Sequence, residues 1–228
     1  MTIMPDSSAS LIWMFNQLFY NISKGVSVKR IFLIPLFLFI IFPTLIFSEN
    51  AQPAAGAVKK ALIVIDLQND YFPGGKYPLW NAENTLNNVL AAIKTAQAKG
   101  VTIIHVQHVA GSKMAVAPFF NEGTEGVAIH SKILQAAPDA PVVVKKFADS
   151  FHETNLEETL KSLGITELFV CGMMTQNCVT HTAISKSAEK YQVTVLMDCC
   201  TTVDEMIHNI ALSALSTRVA IVTSDKAF

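Results

Sequence analysis

Six short apolar segments, separated by helix-like stretches, constrain the fold of this chain more than any other feature. None of the six alternates between apolar and polar residues, as a strand with one face in water would. Continuous apolar strands are typical of a parallel sheet that is covered on both faces. The predicted strands are residues 61–65, 101–106, 142–144, 167–171, 193–197 and 219–223.

The stretches between these strands have helical spacing. In residues 84–99 the apolar side chains recur at helical intervals, and Gly100 marks the end of the pattern, as Gly164 does for residues 156–163. Helices are also predicted at residues 176–190 and 204–216, and a loop with one helix within 111–139. Strands that alternate with helices predict a doubly wound α/β fold, with a mainly parallel six-stranded sheet and helices on both faces.

The first 50 residues form a different kind of segment. Residues 31–47, IFLIPLFLFIIFPTLIF, carry no charge and follow Lys24, Lys29 and Arg30. This order is typical of a secretory signal peptide, and the length also approaches that of a membrane anchor; a buried core helix is the third interpretation. We therefore expect 1–50 to be an extension that exports or anchors the protein, 51–59 a linker, and 60–228 a folded domain outside the cytoplasm.

Charge and cysteine content exclude several classes of function. The net charge is −1 and the basic residues are not clustered, so we expect no nucleic-acid partner. Cysteines stand at Cys171, Cys178, Cys199 and Cys200, without zinc-ribbon or C-x-x-C spacing. Cys199 and Cys200 follow the fifth predicted strand; we interpret them as structural, and a thiol-redox pair is the alternative. We expect no cofactor, and a homo-oligomer.

Three reactive residue types follow three different predicted strands. Asp66 follows the first, Lys145 the third, and Cys178 the fourth, after a turn in which Thr175 is the predicted helix N-cap. Taken singly, these are also ordinary choices for a turn residue, a solvated cation and a small buried side chain. Because ligands bind at the carboxyl ends of such strands, the three together indicate a thiol with a general base and a cation.

The sequence blocks around these residues resemble the signature of the isochorismatase-like cysteine hydrolase superfamily. They are IDLQNDYFPGG (65–75), KKFADSF (145–151) and CGMMTQNCVTHTA (171–183). The superfamily includes nicotinamidases, N-carbamoylsarcosine amidohydrolase, streptothricin hydrolases and isochorismatases. The resemblance covers about 61–223 and implies a Rossmann-like fold.

The resemblance also implies roles for individual residues. It implies a catalytic triad of Asp66, Lys145 and Cys178, with Lys145 chosen over Lys146 because a phenylalanine lies six residues after it. It further implies a cis peptide bond between Met173 and Met174, and an oxyanion hole formed by the backbone N–H groups of Met174 and Cys178.

The implied activity is hydrolysis of a C–N bond in a small amide, lactam or carbamoyl substrate through a thioester. Two alternatives remain at this stage. One is an ether hydrolase of the isochorismatase type, and the other is an exported, non-catalytic binding protein on the same fold.

One departure from the family pattern concerns metal. Nicotinamidases of the superfamily have an Asp-x-His metal motif after the second strand, whereas HVQHVAGS (105–112) contains no acidic residue. His105 and His108 without a carboxylate are a poor zinc site, so we expect no catalytic metal, and a structural or substrate-binding role for both. The predicted substrate-pocket residues are Gln68, Phe72, Trp80, His108 and Phe147.

Overall fold

The computed structural model describes residues 58–110 and 117–228. The segment 31–47, interpreted above as a signal or an anchor, lies outside these residues. Among the helices described, none is both long and apolar enough to cross a membrane.

Six strands form one sheet in which every pairing is parallel, in the order β3-β2-β1-β4-β5-β6. The predicted α/β fold is therefore confirmed. The strands are β1 Lys60–Ile65, β2 Thr102–His108, β3 Val142–Lys145, β4 Glu167–Met173, β5 Gln192–Thr201 and β6 Ala220–Val222.

The helices use the apolar stripes that the sequence predicts. Leu86, Val89 and Ile93 are buried on the first helix, and Gly164 ends the third helix at φ 69°, a conformation that glycine adopts without strain. The helices are α1 Ala82–Ala98, α2 Ser131–Ala136, α3 Leu156–Leu163, α4 Thr180–Ala183 and α5 Glu205–Leu215. Single 3₁₀ turns lie at Asn69–Tyr71, Glu125–Val127, Ala188–Lys190 and Ser224–Lys226.

The strand order reverses between β1 and β4, and this reversal positions the site. From β1 the chain adds β2 and β3 on one side, and from β4 it adds β5 and β6 on the other. In doubly wound sheets, ligands bind in the crevice outside the carboxyl ends of the strands at such a reversal. Asp66 follows β1 and Cys178 follows β4, so they flank this crevice.

A glycine permits the close approach of β4 to β1 at this point. Gly172 pairs with Ile65 and has φ 126°, in the region that side chains disfavour. A Cβ atom there would lie 2.0 Å from the Ile65 carbonyl oxygen, well inside van der Waals contact. Gly172 therefore permits β4 to approach β1 closely at the strand ends that precede Asp66 and Cys178.

The prediction of one helix over 176–190 is wrong. A π-helical turn, Thr175–Val179, leads into α4, which has four residues. After α4 the Ser185 hydroxyl donates to Asp149 Oδ2 at 2.7 Å and accepts the Ser187 N–H at 3.3 Å. Serine side chains that bond locally and to a distant loop compete with helical backbone bonds, so the helix stops.

Thr175 is also not the N-cap that the sequence predicts. Its Oγ1 lies 2.9 Å from His208 Nδ1 on α5, and Met174 precedes the turn instead. A contact with a residue 33 positions away cannot be read from local capping rules.

Strand β5 is longer than predicted and contains Cys199 and Cys200, which were expected to follow it. Asp198 interrupts the apolar run, but its carboxylate accepts the Ser224 N–H at 2.8 Å and the Ser224 hydroxyl at 2.7 Å. A polar residue with its hydrogen bonds satisfied does not end a strand.

The expectation that all strands are covered on both faces is wrong for β3. Val142 and Val144 are 42% and 49% exposed, whereas Val143 and Lys145 are buried. Strand β3 is at the edge of the sheet, where one face remains open, so its residues alternate in burial.

Candidate active site

The structure brings Asp66, Lys145 and Cys178 into one buried cluster. The Lys145 Nζ lies 2.8 Å from Asp66 Oδ2 and 3.2 Å from Cys178 Sγ. The three residues are 0%, 1% and 2% exposed. Charged groups at this depth are retained only when they are paired and hydrogen-bonded, as this carboxylate and ammonium are.

The backbone explains why Asp66 and Lys145 face each other. Asp66 has φ 53°, unusual for a residue with a side chain, and its N–H donates to the Val106 carbonyl at 3.0 Å. Such strain, on the order of 1–3 kcal/mol, tends to occur at functional sites. Lys145 is buried at the end of β3 and Lys146 is exposed, because successive side chains of a strand point to opposite faces.

Side-chain hydrogen bonds join the segment after Lys145 to the segment after Cys178. The Ser150 N–H donates to Thr182 Oγ1 at 3.0 Å, and the Thr182 hydroxyl donates to Ser150 Oγ at 2.8 Å. Both residues are buried. This pair holds the lysine and the thiol at a fixed separation.

The Lys145 ammonium is surrounded by acceptors. Besides Asp66 and Cys178, they are His108 Nδ1 at 2.9 Å and the Phe147 carbonyl oxygen at 3.1 Å. Burial alone would lower the pKa of Lys145, but the neighbouring Asp66 and Cys178 outweigh it and raise the pKa. Lys145 is therefore a cation whose ammonium lies within hydrogen-bond distance of all four groups.

Burial at Cys178 favours the protonated thiol over the thiolate. Burial, followed by the charge of Asp66, raises the pKa of Cys178, and the opposing effect of Lys145 is smaller. The second carboxylate oxygen, Asp66 Oδ1, is buried and has no hydrogen-bond partner among the described residues. A free carboxylate oxygen beside a buried thiol has the chemistry of a general base.

The peptide bond between Met173 and Met174 is cis, at the position that the family resemblance implies. The Met174 carbonyl accepts the N–H of Asn177 at 3.0 Å and that of Val179 at 3.3 Å, which closes the turn around Cys178. The assignment of the Met174 and Cys178 amides to an oxyanion hole stays a prediction.

Gln68 and His108, two predicted pocket residues, form a structural pair. The His108 N–H donates to Gln68 Oε1 at 2.7 Å, and Gln68 Nε2 donates to the His108 carbonyl at 2.8 Å. Gln68 is fully buried. His105 is also buried, and its Nε2 donates to the Ala137 carbonyl at 3.1 Å, away from the cluster.

The aromatic residues of the predicted pocket have different surroundings. Phe72 packs against His130 and lines a cavity whose walls do not include the three clustered residues. Trp80 lies against His208, the partner of Thr175. Phe147 contributes its carbonyl group to the site, and the residue is 40% exposed.

Tyr71 is a buried residue that the sequence did not single out. It is 1% exposed, and its pKa is raised by burial and then by the charges of Asp66 and Cys178. It packs against Phe120 with ring centroids 4.5 Å apart. Tyr71 ends the 3₁₀ turn Asn69–Tyr71, and a turn of this kind leaves no periodic signal in the sequence.

The geometry also bears on metal binding. Asp66, His108 and Cys178 each offer a ligand atom, and these atoms lie within 4.8 Å of one another. The carboxylate is that of Asp66, which follows β1 and is distant in the sequence from residues 105–112. The Lys145 ammonium, however, contacts all three side chains, so a metal ion would have to displace an existing cation.

We therefore expect activity to survive chelation. After dialysis against EDTA the protein should retain its full turnover, because Lys145 already supplies the positive charge at the site. Metal content is measured on the same sample. Stoichiometric zinc in the purified protein, together with activity that EDTA removes and zinc restores, would overturn this expectation.

Comparison with known proteins agrees with this geometry. The isochorismatase domain model matches residues 60–227. An uncharacterized isochorismatase family protein, YddQ of Bacillus subtilis, is 35% identical over 178 residues, covering 74% of this chain and 97% of that protein. The streptothricin hydrolase of Streptomyces noursei is 29% identical over 163 residues, covering 69% and 61%.

A solved structure gives the same result for the fold. The isochorismatase-like hydrolase from Alkaliphilus metalliredigens superposes with a TM-score of 0.67 at 24% identity, covering 74% of this chain and 96% of that one. The region that the isochorismatase domain model matches contains all six strands, together with Asp66, Lys145 and Cys178. The chain therefore belongs to the isochorismatase family.

Proposed function

We propose that this chain is a cysteine hydrolase that cleaves a C–N bond of a small amide, lactam or carbamoyl compound through a thioester on Cys178. One observation carries the proposal. A thiol, an ammonium and a carboxylate that has one oxygen without a hydrogen-bond partner among the described residues meet in one buried cluster. The name of the streptothricin hydrolase relative, a hydrolase of the same family, supports it.

The proposed reaction assigns each proton. Asp66 takes the thiol proton as Cys178 Sγ bonds to the carbonyl carbon, and the Lys145 ammonium stabilises the thiolate. The oxyanion accepts hydrogen bonds from the Met174 and Cys178 amides. Asp66 then gives the proton to the leaving nitrogen as the C–N bond breaks.

Hydrolysis of the thioester regenerates the site. Asp66 takes a proton from water, whose oxygen attacks the thioester carbon, and the C–S bond breaks. The acid product leaves, and the proton returns to Cys178.

The alternatives fit the site less well. Vinyl-ether cleavage needs no nucleophile, so it gives no reason for a thiol beside a base.

A redox pair at Cys199 and Cys200 is disfavoured, because both residues are buried. Burial, with the charge of Asp198, raises the pKa of Cys199 to about 12. A binding protein would gain nothing from a buried ion pair, whose desolvation is unfavourable.

A substrate panel tests the proposal. The purified protein is incubated with small primary amides, lactams and carbamoyl compounds, and ammonia or amine release is measured, with a vinyl ether as the comparison compound. Cleavage of at least one C–N substrate is expected. Cleavage of the vinyl ether alone, or of no compound in the panel, would contradict the proposal.

We also propose that the domain is delivered outside the cytoplasm. The support is the charge-free segment 31–47 with its basic flank, which precedes in the sequence the first strand at Lys60. Cells that express the full chain are fractionated and the product is sequenced from its N-terminus. Extracytoplasmic protein is expected; cytoplasmic protein that retains 31–47 would refute export.

A further inference from the structure

His108 contacts the reactive cluster, yet no step of the proposed reaction uses it. Its Nδ1 lies 2.9 Å from the Lys145 Nζ, and its backbone is held by two hydrogen bonds to Gln68. We infer that His108 is a positioning residue that, with the Phe147 carbonyl, holds the Lys145 ammonium between Asp66 and Cys178 throughout the reaction. The inference rests on the proposed function for the roles of Asp66 and Cys178.

The number of hydrogen bonds around the ammonium leads to this role. The group has three N–H donors, whereas four acceptors lie within reach: Asp66 Oδ2, His108 Nδ1, the Phe147 oxygen and Cys178 Sγ. One acceptor is therefore without a full hydrogen bond at any moment. In the resting site this is the thiol sulfur, the weakest of the four.

The acceptor that lacks a full hydrogen bond changes when the thiol proton moves to Asp66. Once Asp66 holds that proton, its carboxyl group is neutral and Cys178 is a thiolate, the stronger acceptor of the two. One N–H then turns from Asp66 Oδ2 to Cys178 Sγ. The bonds to His108 and Phe147 are the two that persist, and they keep the ammonium in place while the third bond exchanges.

His108 is suited to be a permanent acceptor. A charged ammonium can only donate, so Nδ1 carries a lone pair and the ring proton is on Nε2. Burial, and then the charge of Lys145, lowers the pKa of His108 to about 4, with Asp66 opposing, so the ring is neutral at physiological pH. The Gln68 bonds to both backbone groups of His108 limit its movement.

His105 provides a matched control on the same strand. It is buried like the cluster, but its Nε2 bonds to the Ala137 carbonyl, and it makes no contact with Lys145 among the described residues. Replacing His105 changes the packing around β2 but leaves the hydrogen bonds of the Lys145 ammonium in place.

The test compares His108→Leu, His108→Asn and His105→Leu. Asparagine retains an acceptor, Oδ1, at the position of Nδ1, whereas leucine leaves an ammonium N–H facing an apolar group. Two rates are measured: turnover of an amide substrate, separated into kcat and KM, and alkylation of Cys178 by iodoacetamide. The second rate requires no substrate.

His108→Leu is expected to lower kcat about 10- to 100-fold with little change in KM, the size of a lost hydrogen bond to a charged group, and to slow alkylation. His108→Asn should recover most of both rates, and His105→Leu should match the wild type. If His108→Leu does not fold, His108→Gln takes its place in the series. The glutamine side-chain oxygen lies one bond farther from the backbone than that of asparagine, so His108→Gln should restore less of both rates than His108→Asn.

The outcomes separate this inference from the proposed function. If the wild type cleaves amides and His108→Leu equals it in both rates, or is alkylated faster, the positioning role is wrong and the function stands. If the wild type cleaves no amide, the function fails. The alkylation series then still supports the positioning role if leucine slows it and asparagine restores it, and refutes that role otherwise.

Discussion

Replacement of Cys178 by alanine is expected to reduce amide turnover by at least about 10⁴-fold while the domain stays folded. The thiol sulfur is the only atom that forms the covalent bond in the proposed reaction, so its loss removes that route entirely. The domain should fold because the change removes one sulfur atom and leaves the Asp66–Lys145 ion pair intact. Turnover and thermal unfolding are measured on the same preparation.

Cys199→Ala is the matched control for this variant. Cys199 is a buried thiol of the same size, located in β5 and 0% exposed. It should retain wild-type turnover. Wild-type hydrolysis by Cys178→Ala, or equal losses in the two variants, would contradict the assignment of the nucleophile.

Asp66→Asn should lower both activity and stability. Asparagine cannot accept the thiol proton, and loss of a general base lowers turnover by about 10²–10⁴-fold. It also leaves the buried Lys145 ammonium without its counter-charge, since both side chains are 0% exposed. Breaking one partner of a buried pair lowers the free energy of unfolding by about 3–5 kcal/mol. Turnover and denaturant unfolding measure the two effects.

The double variant Asp66→Asn/Lys145→Met separates these effects. Without either charge, most of the lost stability should return, because no unpaired ion remains buried. Activity should stay low, because the base is still missing. Recovery of activity together with stability would mean that Asp66 acts only through folding, and the proposed proton transfer would be wrong.

Those features of the site that depend on strand ends could be predicted from the sequence. Asp66 and Lys145 stand at the ends of continuous apolar runs, and strands in a parallel sheet place such residues at one edge. The choice of Lys145 over Lys146 agrees with strand alternation, which buries the first and exposes the second. Strand-end position indicated these residues, and the resemblance to the family's sequence blocks selected Lys145 over Lys146.

Features that depend on contacts between distant segments could not be predicted. Gln68 and His108 are 40 positions apart, and the helix that stops after α4 does so at a bond between Asp149 and Ser185, 36 positions apart. Tyr71 is buried at the end of a single 3₁₀ turn, which leaves no periodic signal in the sequence. Periodicity reports burial along one element, and it contains no information on which side chains of two elements bond to each other.

The measurement closest to the central claim is detection of an acyl group on Cys178. An activated ester or anilide of a cleaved substrate is mixed with the protein, so that acylation outpaces hydrolysis, and the reaction is quenched in acid. We expect a mass increase equal to the acyl group on the peptide containing Cys178, decaying as product forms. Turnover with no adduct on that peptide, or an adduct on another residue, would contradict the thioester mechanism.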